Sequence, residues 1–218
     1  MRTLNGMPPF FYTMELEFKK PDIALKELNQ KYNCERTHLL RGKLGSAKSK
    51  NDRELFYGAL FAESLNKIST HKYLVRLPEE DTDCDCELCD HSEWQSNQSL
   101  PKEQRKPDHF LLQNVQITGH VVANELKNGN SNIYDIFKEH LYRTKLSERA
   151  GDYSGCILIF YVGLKIDGKL GLQELRKVIR DSNNNRFQQI WVIIPNHDQY
   201  GIAELCHSEE RFEIAKFE

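Results

Sequence analysis

Three thiols and an imidazole fall within eight residues in Asp83-Cys-Asp-Cys-Glu-Leu-Cys-Asp-His91. Thiolate sulfur and imidazole nitrogen are the donors Zn²⁺ prefers, and Cys84, Cys86, Cys89 and His91 would complete a tetrahedral site. Cys86 and Cys89 keep the familiar two-residue gap. Cys84 and Cys86 are only one residue apart, so Cys34 or Cys206 is a candidate outside ligand. A bound ion would order the long polar segment around it, because metal-binding energy becomes folding energy. The acidic neighbours attract a cation but disfavour the reactive thiolate, which argues against a redox role. The plain alternative is an acidic loop whose thiols cluster without a ligand. His109, His120 and His140 are candidates for polarising a water, or hydrogen-bonded structural residues. Lys138 and the run His140 to Lys145 form a basic, aromatic-bearing face that suits a phosphate backbone or simply solvent.

These residues need elements to position them. A strand is expected over 11–18, stopped by Lys19-Lys20-Pro21, then a short helix capped by Asp22 and running to about Tyr32. Residues 41–51 are small, basic and turn-rich, and read as a loop. Asn51 or Asp52 then caps a helix in which Leu55, Phe56, Ala59, Leu60, Ala62 and Leu65 recur at three- and four-residue steps. A strand is expected over 73–77, stopped by Pro78, and a polar loop over 79–106. Phe110-Leu-Leu112 and Val115-Gln-Ile117 read as a β-hairpin turning at Gln113-Asn114. A helix capped by Ser131 or Asn132 follows, carrying Ile133, Ile136, Phe137, Leu141 and Leu146. Cys156 to Val162 lacks polar alternation and reads as a strand buried on both faces. A helix over 172–179 and a buried strand over 190–194 complete the pattern, with a weakly patterned tail. Antiparallel strands first and crossover-linked strands later predict an α/β (α+β) fold: a mixed central sheet with helices on both faces. The domain reading is an extension over 1–50, a core over 51–196 with a Cys-rich insertion at about 79–106, and a tail over 197–218.

The α-β-β-β-α-β order, with Pro107-Asp108 opening the expected hairpin, resembles the PD-(D/E)XK nuclease-like superfamily, whose core is restriction-endonuclease-like. That family places an Asp on one strand, an acidic-x-Lys motif on the next, and often a Glu on the preceding helix. The resemblance implies Mg²⁺ or Mn²⁺ held by oxygen ligands, a bound water of lowered pKa, and a Lys steadying water and phosphate. By the same resemblance Asp108 would bind the metal, and Gln116 would complete its coordination with Glu54 or Glu63. Gln116 stands where the family writes its acid and Thr118 where it writes its Lys. Some relatives carry Gln at the first position, and some move the Lys to the next helix, where Lys138 or Lys145 would serve; Lys127 is a third option. The implied activity is metal-dependent phosphodiester hydrolysis of nucleic acid. The alternative is a scaffold without catalysis, acting as an interaction protein with a structural zinc loop. A third reading is an α/β domain unrelated to nucleases.

Composition bounds these readings. The 218 residues carry 30 Lys plus Arg against 32 Asp plus Glu, a formal charge of −2, so any polyanion must be met by a local patch. At 39% hydrophobic and 28% charged, the chain is an ordinary globular sequence. No apolar run approaches the ~20 residues of a membrane helix, and 1–12 lacks the pattern of a secretory signal. The six cysteines do not space like a disulfide framework, which predicts a cytoplasmic protein. Gly163 to Leu170 is no phosphate-cradling loop, because Lys169-Leu170 stands where Lys-Ser/Thr is needed. No Gly-x-Ser-x-Gly elbow occurs.

Overall fold

A computed structural model describes residues 17–36, 40, 44, 49–79, 82–92, 108–117, 122, 133–146, 153–163, 168–181, 186–196, 199–205 and 212–216. Helix α1 (Pro21–Lys31) starts with Pro at its first position, where the missing N–H would have no intrahelical partner. It ends in a Schellman arrangement: Cys34 N–H donates to Asn29 O at 2.8 Å and Asn33 N–H to Gln30 O at 3.1 Å. Asn33 takes the required left-handed conformation at φ 49°, one that Asn tolerates better than most residues. Asp22 lies in the first turn and is not the cap.

Helix α2 (Lys50–Ile68) is capped by Ser49, whose hydroxyl accepts from Asp52 N–H at 3.3 Å. The cap thus precedes the expected Asn51 or Asp52. Asp52 instead ties the two helices together, accepting from Lys31 Nζ at 2.9 Å and Tyr32 Oη at 2.5 Å. Burial alone would push the Asp52 carboxyl up, but the Lys31 and Tyr32 hydrogen bonds outweigh it and hold the group below its ordinary range. The same hydrogen bond, with burial, pushes the Tyr32 phenol up to about 12.

The strands are β1 (Tyr73–Arg76), β2 (Cys86–Asp90), β3 (Asp108–Ile117), β4 (Cys156–Val162), β5 (Gln189–Asn196), β6 (Gln199–Glu204) and β7 (Phe212–Lys216). They form one seven-stranded sheet in sequence order. The β1–β2–β3 and β5–β6–β7 pairings are antiparallel, while β3–β4 and β4–β5 are parallel. Helix α3 (Ile133–Leu141), continued by a π-helical turn (Tyr142–Leu146), lies in the β3–β4 connection, and helix α4 (Gly168–Asp181) lies between β4 and β5. The expected mixed sheet with helices on both faces is the architecture observed. Ile157, Ile159 and Tyr161 of β4 pack with α1 and α2, and Leu158, Phe160 and Val162 pack with α3 and α4. Strand alternation divides the apolar run between two cores, which is why it shows no polar period.

Two expectations are corrected. The hairpin over 110–117 is a single ten-residue strand, because Gln113 and Asn114 stay extended and β3 pairs with β2 and β4 along its length. The presumed loop over 79–106 contains β2, all of whose five residues are buried. Beyond Asn196, β6 and β7 extend the sheet. Of the expected strand over 11–18, residues 11–16 lie outside the described residues, as do the caps Ser131 and Asn132 and most of 41–48. Lys19 makes an antiparallel bridge to Val75.

Gly58 sets how closely α2 meets the sheet. A Cβ there would lie 2.5 Å from Cys86 Sγ and 3.1 Å from Cys86 Cβ. Cys86 is fully buried and its thiol donates to Arg76 O at 2.9 Å, so it has little room to yield. Gly58→Ala is expected to lower stability by about 1–3 kcal/mol, the overpacking cost exceeding the ~1 kcal/mol gained in helix propensity. Chemical denaturation checks this, and Gly58→Ala combined with Cys86→Ala should recover part of the loss.

Candidate active site

Four polar side chains from four elements meet at the end of β2. Glu54 comes from the first turns of α2, Asp85 from the residue before β2, Gln113 from the middle of β3, and Lys145 from the π-helical turn. The pairing explains the placement. Cys86 sits opposite Leu112 in an antiparallel register, so Asp85 is directed opposite Gln113 on the same face. Gln113 shares its face with Val115 and Ile117, which pack against α3. Lys145 lies one turn beyond the buried Leu141 and inherits its inward direction, while Tyr142, Arg143 and Thr144 are exposed. Single π turns inside helices are frequent at functional sites.

Asp85 Oδ2 accepts from Asn114 backbone N–H at 2.7 Å and lies 3.8 Å from Lys145 Nζ. Lys145 also donates to Gln113 Oε1, and Gln113 Nε2 donates to Asp83 O. Lys50 pairs with Glu54 at 3.1 Å. Glu54 lies close enough to Asp85 for the Asp85 charge to act on it. Burial, then the Asp85 charge, pushes Glu54 up to about 7, against the pull of Lys50. Burial lowers the Lys145 ammonium, while Asp85 and Glu54 oppose that shift.

Burial together with the nearby Asp85 charge disfavours ionisation of Glu54, which therefore keeps its proton up to about pH 7. A divalent cation can take that proton's place. The donors fit a hard ion: two carboxylates and the carboxamide oxygen of Gln113 are the oxygen ligands Mg²⁺ and Mn²⁺ take. Both amide atoms of Asn114, next to Gln113, are buried without a hydrogen-bond partner, on the opposite face of β3.

Of the residues read from the sequence, Glu54 and Lys145 are in this group and the others are not. Asp108 is the exposed first residue of β3, opposite Asp90, about 16 Å along the strand from Gln113. Gln116 is on the other face of the sheet from Gln113 and about 26 Å along the strand from Asp108, so those two cannot share an ion. Thr118, His120, Lys127 and Cys206 lie outside the described residues. Glu63 is about 13 Å along α2 from Glu54 and pairs with Lys67 at 3.0 Å. Lys138 is exposed on α3. Asp85 and Gln113 were not singled out from the sequence, because one was absorbed into the cysteine cluster and the other into a turn.

The cysteine cluster is stretched along β2 and not gathered. Cys86 faces α2, Cys89 falls on the opposite face by alternation, and Cys84 donates to Thr82 at 3.5 Å. Residues 84 to 91 span about 23 Å when extended, so Cys84 and His91 stand far apart. Among the described residues, no three His, Cys, Asp or Glu side chains form a metal-holding group of their own. Burial pushes the thiols of Cys84, Cys86 and Cys89 up. His71, Asp90 and Ser92 also cluster, but Asp90 Oδ2 at 2.5 Å and Ser92 Oγ at 3.4 Å meet the same His71 nitrogen. A nucleophile relay needs them on different nitrogens. No helix is long and apolar enough to cross a membrane among the described residues. No family model, curated protein or solved structure matches the chain.

The carboxyl pair makes stability depend on pH. Glu54 binds its proton more tightly folded (about 7) than unfolded (about 4.5 in an unperturbed chain), so the metal-free protein loses stability as pH rises between these values. Glu54→Gln is expected to raise Tm relative to the parent at pH 8 and to leave it nearly unchanged at pH 4.5. Calorimetry in chelator checks this, and a Tm difference independent of pH would contradict the proton held by Glu54.

Proposed function

We propose that the chain is a metal-dependent nuclease of the PD-(D/E)XK type, hydrolysing phosphodiester bonds in nucleic acid. The observation that carries this reading is the meeting of Asp85, at the start of β2, with the ammonium of Lys145 at 3.8 Å, beside the helix carboxyl of Glu54. The order α2-β1-β2-β3-α3-β4, antiparallel through β3 and parallel to β4, supports the restriction-endonuclease-like core. Within it, Glu54 takes the helix position, Asp85 the first strand acid, and Gln113 the position where some relatives carry Gln. Val115 stands at the strand-Lys position, and Lys145 supplies the charge from the following helical segment.

Glu54, Asp85 and Gln113 would hold Mg²⁺ or Mn²⁺, which supplies a bound water of lowered pKa and positive charge at the phosphate. Lys145, largely withdrawn from solvent, keeps a weakly screened charge next to Asp85. From there its ammonium orients the attacking water or a phosphate oxygen. The Asn114 N–H fixes the Asp85 carboxylate, and Lys50 balances Glu54. The exposed Lys138, Tyr142 and Arg143 on the segment bearing Lys145 offer the local basic surface a polyanion needs.

Incubation with plasmid, oligonucleotide and RNA in Mg²⁺ or Mn²⁺ tests the proposal. Cleavage is expected, and Asp85→Ala or Lys145→Ala should each reduce it at least ~100-fold, in the range seen when one electrostatic catalytic group is removed. Asp108→Ala should leave it unchanged. Cleavage that survives both site variants would defeat the assignment.

The metal requirement also predicts a pH profile. Cation binding must displace the proton held by Glu54, so Mn²⁺ affinity should rise with pH up to about 7 and then level off. Titration calorimetry at pH 6 and pH 8 checks the sign.

A further inference from the structure

Lys145 has an aromatic neighbour besides Asp85 and Gln113. Its ammonium lies over the ring of Tyr153, 5.3 Å from the centroid. Tyr153 belongs to the approach to β4, and two contacts fix it there. The N–H of Cys156, the first residue of β4, donates to Tyr153 O at 2.8 Å and closes a turn. The ring stacks on Phe187 at 5.3 Å with an interplanar angle of 11°. Phe187 is buried on the approach to β5, and its neighbour Gln188 donates its N–H to Cys156 O at 2.9 Å. The approaches to two parallel strands are thus locked together, and their rings form a wall beside Lys145.

Tyr153 borders the core of α3, α4 and β4, where an aliphatic side chain would fill the same space. An aliphatic chain offers nothing to a cation, however, and the Lys145 side chain is only 15% exposed. Burial pushes its ammonium down, with Lys50 adding to the shift, while Asp85, Glu54 and Cys156 oppose it. A π face joins the opposing side, because it attracts a cation most where water is excluded. Among the described residues Gln113 Oε1 accepts a hydrogen bond from Lys145, and Asp85 at 3.8 Å lies beyond hydrogen-bond reach. An ammonium carries three donors, and a π face holds its charge without consuming them in directed bonds.

We propose that Tyr153 is a positioning residue for Lys145: its ring face, braced by Phe187, holds the ammonium beside Asp85 and leaves N–H donors for a substrate oxygen. The inference rests on reading Lys145 as the cation that meets the phosphate.

Full-length wild type is compared with Tyr153→Phe, Tyr153→Leu and a variant carrying a trifluorinated phenylalanine at position 153. Fluorination keeps the shape of Phe and draws charge out of the ring face. The first readout is the pH midpoint for labelling of Lys145 by an amine-reactive ester, located by mass spectrometry. The π face favours the charged amine, so weakening it must move that midpoint down. Wild type and the Phe variant should agree, with the trifluorinated and Leu variants lower by roughly half a unit or more. The second readout is oligonucleotide cleavage in Mg²⁺ or Mn²⁺, expected to persist in the Phe variant and to fall about fivefold in the Leu variant. Equal midpoints in the Phe, trifluorinated and Leu variants overturn the role of Tyr153, whatever cleavage shows. Midpoints in the expected order, with cleavage unaffected by Lys145→Ala, uphold the hold of Tyr153 on the ammonium and overturn the nuclease reading instead. If the Leu variant does not fold, the trifluorinated and Phe variants decide alone, since they differ only in the charge of the ring face.

Discussion

Two carboxyl groups held near each other out of water disfavour each other's charge unless a proton or a cation joins them, and Glu54 beside Asp85 places this constraint at the start of β2. The surrounding structure keeps them from separating. Asp85 is fixed by the Asn114 N–H, and Glu54 is fixed by its helix. That helix can lie so close to β2 because Gly58, one turn further on, has no side chain to hold it off Cys86. The Asp52 links to Lys31 and Tyr32 secure the same end of α2 from the outer side. Rigidity here has a chemical meaning, since carboxylates free to swing apart would each ionise alone and leave no preformed site.

The sheet supplies the other half of the constraint. Antiparallel pairing brings the start of β2 beside the middle of β3, and alternation aims Asp85 and Gln113 to one face. Parallel pairing of β3 with β4 then requires a crossover, and α3 with its π turn is the helical part of that connection. Lys145 therefore reaches the site through the connection that the sheet topology demands. Four groups distant in sequence become neighbours through three ordinary rules of pairing, alternation and crossover.

Much of this frame was legible in the sequence. The periodicity of 55–65 gave α2, the unbroken apolar run gave β4, and the order of helices and strands gave the mixed sheet. What hid β2 was its polarity. Glu87 and Asp90 are buried with partners: Glu87 pairs with Arg76 at 2.7 Å, and Asp90 is hydrogen-bonded to His71 at 2.5 Å. A strand whose charges are satisfied by its neighbours looks like a polar loop in one dimension. Gln113 and Asn114 misled for a related reason: two polar residues in an apolar run read as a turn, yet the Gln113 amide is spent on Lys145 and Asp83 and the Asn114 N–H on Asp85. Three strands after α2 were expected and three are present, and only β1, ending at Arg76 where 77 was expected, matches its expected span to within a residue. Glu54 and Lys145 could be picked out as chemistry on helices, whereas Asp85 required knowing that its segment pairs with β3.

The position of the lysine follows from packing. Val115 shares Gln113's face but is buried in the core formed with Phe137, Leu141 and Phe160. A lysine there would have to bring its ammonium through that apolar layer, and desolvation would strip much of its charge. Lys145 reaches Asp85 from the rim of the same layer, with only 15% of its side chain exposed, and Asp85 opposes the loss of its proton that burial favours. With the ammonium carried on the helical segment, β3 keeps a hydrophobic residue at 115 within the core, while the π turn holds Lys145 beside Asp85.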